Sequence, residues 1–299
     1  MNKKFILLVA TLLLASCANP SSQNPSGEPS TNPTSDSVTE SSELETSLPT
    51  SEDITSEVES SEVPPSTSEA VSENEEYGGY YASIDLTLEG TPLLNQLKTL
   101  VNTGFRSGNY STAWTNAKEA DQDVNNSNNI IQIYSRYTRP KSEQNSGSGT
   151  DNWNREHVVT QSAMGCNTSS NGPCTDYANL FASDTDVNSK RGNTKFGVVS
   201  GGTVVTDSKG RTTPARTGSG LFDPGSEARG EVARATLYMI IKWNFSTSIN
   251  GSLNTLLEWN RQYPPTPERE IKRNNAVQKN QNNRNPFIDY PYLADAIWA

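Results

Sequence analysis

The chain has 299 residues, enough for about one or two domains, but only 32% of them are hydrophobic, so part of it cannot be packed core. Its 34 acidic and 24 basic residues give a net charge of -10, which taken as a whole argues against a nucleic-acid partner. The single histidine, His157, excludes every site that needs two or more imidazoles, among them the HExxH zinc proteases and three-histidine zinc sites.

The charge is unevenly distributed along the chain. Residues 18–76 hold 14 acidic residues and no Lys or Arg, and residues 1–17 hold two Lys. Residues 77–299 therefore carry 20 acidic and 22 basic residues, a net charge of +2. The negative net charge of the whole chain thus comes from its acidic segment, and the remaining domain is slightly basic. The net charge therefore does not argue against a nucleic-acid partner.

The amino terminus reads as a targeting segment. Two Lys residues precede the apolar run 5–15, which is followed by small residues and is too short for an ordinary membrane-spanning helix. Leu14-Ala15-Ser16-Cys17 resembles the bacterial lipobox, in which cleavage leaves the cysteine as a lipid-bearing first residue. We predict a signal peptide over 1–17 and an exported lipoprotein anchored through Cys17 to the extracytoplasmic side of a membrane. The alternative is a plain signal peptide with an incidental cysteine.

Residues 18–79 are predicted to be a disordered acidic tether. They are mostly Ser, Thr, Glu and Pro, with no helical or strand periodicity. Such a segment cannot bury enough apolar surface to offset its ordering entropy. The alternative is a binding segment that folds on a partner.

Residues 80–299 are predicted to form one α+β domain with more helix than strand. All five tryptophans lie in it. In chain order, the patterns predict helices over 93–101 and 113–121, strands over 130–134 and 153–160, a hairpin from 196–199 and 202–205 around a Gly-Gly turn, and helices over 226–243 and 254–263.

Two of the three cysteines are predicted to form a disulfide. If Cys17 is lipidated, Cys166 and Cys174 remain, separated by a short loop rich in Gly, Pro, Asn and Ser. In an exported protein such a pair is typically oxidised, and a metal site would need further soft ligands that the chain does not offer.

Candidate chemistry gathers around the one histidine. The string Trp153-Asn154-Arg155-Glu156-His157 is followed by Asp176-Tyr177-Ala178-Asn179-Leu180-Phe181 and by Val187-Asn188-Ser189-Lys190-Arg191-Gly192-Asn193. An imidazole base, carboxylate and amide oxygens and nearby cations suit a hard metal ion that holds a phosphodiester. A lone histidine is more often structural or merely exposed, and each string is weak alone.

Together with Arg229-Gly230-Glu231-Val232-Ala233-Arg234-Ala235 and Asn283-Arg284-Asn285-Pro286-Phe287-Ile288-Asp289, these strings resemble the bacterial endonuclease I family. This family belongs to the His-Me finger (ββα-metal) nucleases, and the resemblance runs from about Leu93 to Trp298. Its members are secreted or periplasmic nucleases that cut DNA, and often RNA, with little sequence preference. The resemblance implies a His-Me finger core within a mostly helical domain.

The resemblance also implies roles for the motif residues. His157 would be the general base that activates water, and Glu156 and Asn179 the side-chain ligands of one Mg²⁺, or of Mn²⁺ or Ca²⁺ in its place. Asn188 is the rival amide and is assigned a supporting role. The alternative for Asn179 is a helix cap. Because neighbours on a regular strand point to opposite faces, Glu156 and His157 can share a site only where the strand ends or bulges.

The remaining polar residues are assigned to support or to phosphate binding. Asp176 is expected to orient the site, and Arg155 to support it. No arginine lies between His157 and Asn179, so Arg191 is the first candidate for stabilising the phosphate. The alternative for both arginines is a solvated or structural charge. The family often has histidine where Ala178 stands, so a second histidine role is excluded here.

These inferences predict a metal-dependent, sequence-nonspecific endonuclease, acting as a monomer on extracellular DNA and on RNA and leaving 5′-phosphate ends. Two alternatives stay open. One is a catalytically inactive surface lipoprotein that binds polymers or host surfaces. The other is a nuclease that acts chiefly on RNA.

Overall fold

The computed structural model describes residues 76–145 and 151–299. The predicted signal peptide, the lipidated Cys17 and almost all of the predicted tether lie outside these residues. None of the helices in the two described ranges is long and apolar enough to span a membrane.

The described residues form nine α-helices and eight strands, so the predicted mixture of helix and sheet is confirmed. The helices are α1 (Gly90–Asn102), α2 (Ala113–Ala120), α3 (Gln161–Met164), α4 (Thr185–Arg191), α5 (Ser226–Trp243), α6 (Leu253–Gln262), α7 (Lys272–Gln281), α8 (Pro286–Asp289) and α9 (Leu293–Trp298). The strands are β1 (Asn129–Ile131), β2 (Thr138–Pro140), β3 (Trp153–His157), β4 (Leu180–Asp184), β5 (Lys195–Phe196), β6 (Thr203–Thr206), β7 (Thr212–Gly218) and β8 (Leu221–Asp223).

Helix α5 lies at the centre of the hydrophobic core. Its residues Val232, Leu237, Tyr238 and Met239 are completely buried, and it packs against α1, α6 and α8. It is buried on nearly every side, and its buried charged residues Glu231 and Arg234 form ion pairs with Arg269 and Glu270. The predicted helices over 93–101, 113–121, 226–243 and 254–263 are all confirmed, with small shifts at their ends.

The strands form three separate sheets. Strands β1 and β2 pair antiparallel, as do β3 and β4, and the third sheet has the order β5-β8-β7-β6 with β5 parallel to β8. In the β3–β4 pair His157 lies opposite Leu180 and Glu156 opposite Phe181. Helix α4 follows β4 directly and packs against both strands. Two paired strands and a helix that packs against both therefore form one unit, with α3 in the connection between the strands.

The predicted hairpin around the Gly-Gly turn is wrong. Strand β6 pairs with β7, and the segment at Phe196 pairs in parallel with β8 instead. The turn of the real hairpin is stabilised by Asp207, whose carboxylate accepts hydrogen bonds from the backbone N–H groups of Lys209 and Arg211 at 3.0 and 2.7 Å. Aspartate stabilises turns by accepting hydrogen bonds from nearby backbone N–H groups in this way.

Two predicted strands are shorter than expected. Strand β1 ends at Ile131 because the chain then turns, with the N–H of Arg136 donating to the carbonyl of Gln132 at 3.2 Å. Strand β3 ends at His157, three residues before the predicted end. The predicted disulfide is present between Cys166 and Cys174, in the connection from β3 to β4.

Candidate active site

The end of β3 opens onto a pocket of about 190 Å³. Arg155, Glu156, His157, Asn188 and Arg191 all line it. Glu156 and His157 reach the same pocket because the strand stops at His157, as the sequence required. The structure therefore brings together five of the seven predicted site residues and leaves out Asn179 and Asp176.

His157 is buried and its tautomer is fixed by a backbone contact. Its Nε2 atom lies 2.8 Å from the carbonyl oxygen of Cys174. A carbonyl only accepts, so Nε2 must carry the proton and the lone pair of the neutral ring is on Nδ1. Burial is the main reason that the pKa of His157 falls to about 4, with Arg155 and Arg191 lowering it further and the Cys174 bond opposing the shift. The imidazole is therefore neutral at physiological pH and can accept a proton.

An aromatic side chain that sequence analysis missed holds one side of the site. The ring of Tyr110 stacks against His157, with centroids 5.7 Å apart, and lies 3.5 Å from the guanidinium carbon of Arg155. Trp114 covers the same guanidinium at 3.9 Å. Burial lowers the pKa of Arg155. No motif in the sequence connects Tyr110 with the histidine.

Glu156 lies on the opposite face of β3 and is only 3% exposed. Its Oε1 accepts a hydrogen bond of 2.6 Å from the hydroxyl of Tyr134, and Nε of Arg191 lies 3.5 Å from the same oxygen. Burial raises the pKa of Glu156, while Arg191 and Tyr134 oppose that rise by stabilising the ionised carboxylate. The backbone N–H of His157 also interacts with this carboxylate, which lines the pocket.

The structure does not support Arg191 as the arginine that contacts a phosphate. Its Nη1 donates to the carbonyl oxygens of His157 and Gly192, and its Nη2 to Val158 and to Oδ1 of Asn250. These four bonds use all four Nη hydrogens, and the remaining Nε–H faces Glu156. Arg191 therefore fixes the end of β3 and the position of Glu156 from inside the protein.

The two candidate amides have different surroundings. Both amide ends of Asn179 are bound to Val159: Oδ1 accepts from its N–H at 2.7 Å and Nδ2 donates to its carbonyl at 2.9 Å. Asn179 is completely buried and is not part of the pocket wall. Asn188 lies on α4, lines the pocket, and donates from Nδ2 to Oδ1 of Asn154 at 2.7 Å. This bond turns the Asn188 carbonyl oxygen away from Asn154. Asn179, whose amide is bound to Val159 outside the pocket wall, does not fit the expected role of metal ligand.

Asp184 determines where α4 begins, and sequence analysis missed it. Its Oδ1 accepts hydrogen bonds from the N–H groups of Asp186 and Val187 at 3.0 and 3.2 Å, which caps the helix. Arg139 lies 3.1 Å from its Oδ2. Because α4 starts immediately after β4, Asn188 lies one helical turn into it, across from β3. An aspartate just before a helical pattern is a local signal that could have identified this cap.

Asp176 supports the β3–β4 connection from outside the pocket. Its Oδ2 accepts from Tyr238 at 3.0 Å and from Trp243 at 2.9 Å, and its Oδ1 accepts from Gln281 at 2.7 Å. Arg273 of α7 also donates to the backbone carbonyls of Tyr177 and Leu180. Helices α5 and α7 therefore hold the segment that leads into β4.

The pocket offers few protein ligands for a metal ion. In the described parts of the chain, no group of three or more His, Cys, Asp or Glu residues is placed to hold a metal. Glu156 and Asn188 supply a carboxylate and an amide to the pocket wall, which also includes the oxygen-bearing side chains of Tyr110, Thr160, Gln161 and Asn193. Hard oxygen donors of this kind suit Mg²⁺, which keeps several waters and binds through few protein groups.

Comparison with known proteins agrees with this arrangement. The sequence model of the Endonuclease I family matches residues 90–292. An extracellular ribonuclease of Bacillus amyloliquefaciens is 33% identical over 256 residues, covering 79% of this chain and 83% of that protein. An extracellular ribonuclease of Bacillus subtilis (strain 168) is 35% identical over 241 residues, covering 73% of this chain and 80% of that protein.

The match covers well over half of the chain, and both relatives align over most of their length. The chain belongs to the Endonuclease I family, a family of nucleases, as the sequence motifs predicted.

Proposed function

We propose that this protein is an exported, divalent-metal-dependent endonuclease that hydrolyses phosphodiester bonds in RNA and DNA without sequence preference. The observation that carries the proposal is the meeting of His157, Glu156 and Asn188 in one pocket at the end of β3. A neutral imidazole, a carboxylate and an amide oxygen are the groups that hydrolysis of a phosphodiester needs.

His157 is proposed as the general base. Its Nε2–H donates a hydrogen bond to the carbonyl oxygen of Cys174, so Nδ1 is the atom that accepts the proton of the water that attacks phosphorus. Departure of the 3′ oxygen then leaves a 5′-phosphate end.

Glu156 and Asn188 are proposed as the protein ligands of the metal ion. The Tyr134 hydroxyl and Arg191 hold the Glu156 carboxylate in place and favour its ionised form. Asn154 holds the amide of Asn188. A divalent cation held there would stabilise the negative charge that develops on the phosphate and on the leaving oxygen. Asn188 thus takes the role that the sequence led us to expect for Asn179.

The order β3, β4, α4 supports a His-Me finger core. The base lies at the end of the first strand, and the amide lies on the helix that follows the second strand. We therefore retain the His-Me finger assignment as part of this proposal.

Export and substrate are proposed from the relatives and the amino-terminal sequence. Both relatives are extracellular ribonucleases by name, which supports export and favours RNA among the substrates. We further propose residues 1–17 as a lipoprotein signal, Cys17 as the membrane anchor, residues 18–79 as a tether, and residues 80–299 as a monomeric catalytic domain.

Digestion of RNA, single-stranded DNA and duplex DNA side by side tests the function. We expect internal cleavage that requires Mg²⁺ and stops with EDTA, and fragments that a ligase accepts because they carry 5′-phosphate. Cleavage of RNA alone would restrict the proposal to a ribonuclease. Binding of nucleic acid without any cleavage would favour the inactive polymer-binding lipoprotein instead.

A further inference from the structure

Arg155 differs from the other buried arginines in its lack of an acidic partner. It is 8% exposed. The remaining buried arginines each have a carboxylate oxygen within 3.5 Å; they are Arg139, Arg191, Arg234, Arg273 and Arg284. No ion pair joins Arg155 to any of the described acidic residues. Burying a guanidinium without a counter-ion is unfavourable, so an unpaired one at a site wall indicates that an anion is supplied from outside.

Most of the hydrogen-bonding capacity of Arg155 is unused. Its Nη1 donates to the backbone carbonyl of Tyr110, and this is its one hydrogen bond to a described residue. Its Nε is buried without an acceptor. A guanidinium has five N–H donors. One is used and the Nε–H is buried, so three on Nη1 and Nη2 are available to a ligand, in contrast to Arg191, whose Nη hydrogens are all used.

Two aromatic rings hold the guanidinium in a fixed orientation. The guanidinium carbon lies 3.5 Å from the centroid of the Tyr110 ring and 3.9 Å from that of the Trp114 ring. Trp114 is itself fixed by an edge contact with Trp153, with centroids 5.1 Å apart. Stacking of this kind stabilises a planar cation and removes the rotamer freedom that it would otherwise lose on binding an anion.

Strand geometry places this cation beside the general base. Arg155 and His157 are two residues apart on β3 and therefore point to the same face. The ring of Tyr110 contacts both, and both line the pocket. Glu156 points to the opposite face, where Arg191 neutralises it. The pocket thus has a metal-ligand side and a second side whose positive charge is unpaired.

We propose that Arg155 binds the phosphate of the substrate backbone as it enters this pocket, with Tyr110 and Trp114 holding its guanidinium ready for the anion. The assignment rests on the proposed nuclease function and gives Arg155 the role that the sequence suggested for Arg191. The ligand class is a nucleic-acid phosphodiester, and the contact is independent of base sequence.

Binding of a fluorescein-labelled single-stranded RNA, measured by anisotropy over a series of KCl concentrations, tests the assignment. The full chain carries His157→Ala so that the RNA stays intact, with or without Arg155→Met. Methionine keeps an unbranched stem between the two rings but carries no charge. We expect about a tenfold loss of affinity, and a slope of log Kd against log salt that is smaller by about 0.7, the value for one phosphate contact on a single strand.

The matched control is Arg216→Met in the same background. Arg216 is exposed, lies outside the pocket wall, and makes one long hydrogen bond of 3.4 Å to Gly201. The Arg216→Met substitution removes the same charge as Arg155→Met. We expect the RNA affinity and the slope of log Kd against log salt to stay within error of those of the His157→Ala protein. Loss of affinity in both variants by the same amount, or in neither, would overturn the role of Arg155.

A third variant covers the case in which Arg155→Met does not fold. Arg155→Lys keeps the charge but cannot stack as a flat cation, so affinity should fall several-fold while the salt slope stays. Affinity and cleavage rate equal to those of wild type would overturn the assignment. Wild-type protein that binds RNA but never cuts it would refute the nuclease function alone, and wild-type protein that binds no nucleic acid would overturn both.

Discussion

The Nε2 atom of His157 lies 2.8 Å from the carbonyl oxygen of Cys174, whose sulfur is bonded to Cys166. The disulfide therefore closes the loop that carries the acceptor for the imidazole proton. The tautomer of the proposed general base depends on the position of that loop. These two residues lie 17 positions apart, and Cys174 belongs to none of the motifs, yet together they set the protonation of the imidazole.

Replacement of His157 by alanine is expected to lower turnover by about 10²–10⁴-fold, the usual contribution of a general base. RNA affinity should change only a few-fold, since Arg155 and the proposed metal ligands remain. The acid limb of the wild-type pH–rate profile should lie below the ordinary histidine pKa of 6.5, because burial lowers the pKa of His157. That limb should be missing in the variant. A folded His157→Ala protein with more than about a tenth of wild-type turnover would contradict the mechanism.

Reduction of the disulfide is expected to lower turnover more than it lowers RNA binding. Without the Cys166–Cys174 bond, the Cys174 carbonyl is less well held, and His157 loses the contact that keeps Nδ1 available. Cys166→Ser alone should reproduce the effect of a thiol reductant, and the reductant should not alter that variant further. Single-turnover rates and RNA affinity, measured at a temperature where both forms are folded, separate the two effects. Equal rates for oxidised and reduced protein would show that the loop is held by other contacts.

His157 should also make the folded state less stable in mild acid. Its pKa is 6.5 in an ordinary setting and about 4 in the fold, so below pH 6.5 the unfolded chain binds a proton that the folded protein does not. The stability that the neutral ring contributes is complete above pH 6.5 and is lost as the pH falls towards 4, by up to about 3 kcal/mol. Urea unfolding at pH 7 and pH 4.5 measures the loss, and His157→Gln should lose less. The same loss in both proteins would assign the acid sensitivity to other groups.

The choice between the two asparagines can be tested with one pair of variants. Asn188→Ala should raise the Mg²⁺ concentration needed for half-maximal rate, because Asn188 lines the pocket. Asn179→Ala should leave that concentration unchanged and lower the free energy of unfolding by about 1–3 kcal/mol, because it leaves buried polar groups of Val159 unpaired. The reverse pattern would restore Asn179 as the ligand.

These asparagines also show how far a sequence can define a site. Helices α1, α2, α5 and α6 followed from apolar spacing, and the meeting of Glu156 and His157 followed from strand geometry, because both depend on residues close together in the chain. The polar helix α7 was not predicted. The choice between Asn179 and Asn188 depends on the packing of α4 against β3. That packing brings Asn188 to Asn154, 34 positions earlier, and no local pattern encodes the distance.

The residues that support the site were harder to foresee. Tyr134 holds Glu156, and Tyr110 holds both His157 and Arg155, yet each lies more than 20 residues from the side chain it contacts. Arg191 and Arg155 look alike in sequence, as basic residues near the motif. Only the count of used N–H groups separates the arginine committed to backbone carbonyls from the one with free donors.

The contacts of Asp176 have a consequence for the timing of synthesis. The connection from β3 to β4 is held by Gln281 and Arg273, which leave the ribosome about a hundred residues after Asp176 does. Until α7 has been translated, Asp176 and the backbone carbonyls of Tyr177 and Leu180 lack these partners. Nascent chains that end before Lys272 should therefore show no nuclease activity in a cell-free translation. A chain with the proposed activity on RNA would in this way stay inactive towards its own messenger until its synthesis is nearly complete.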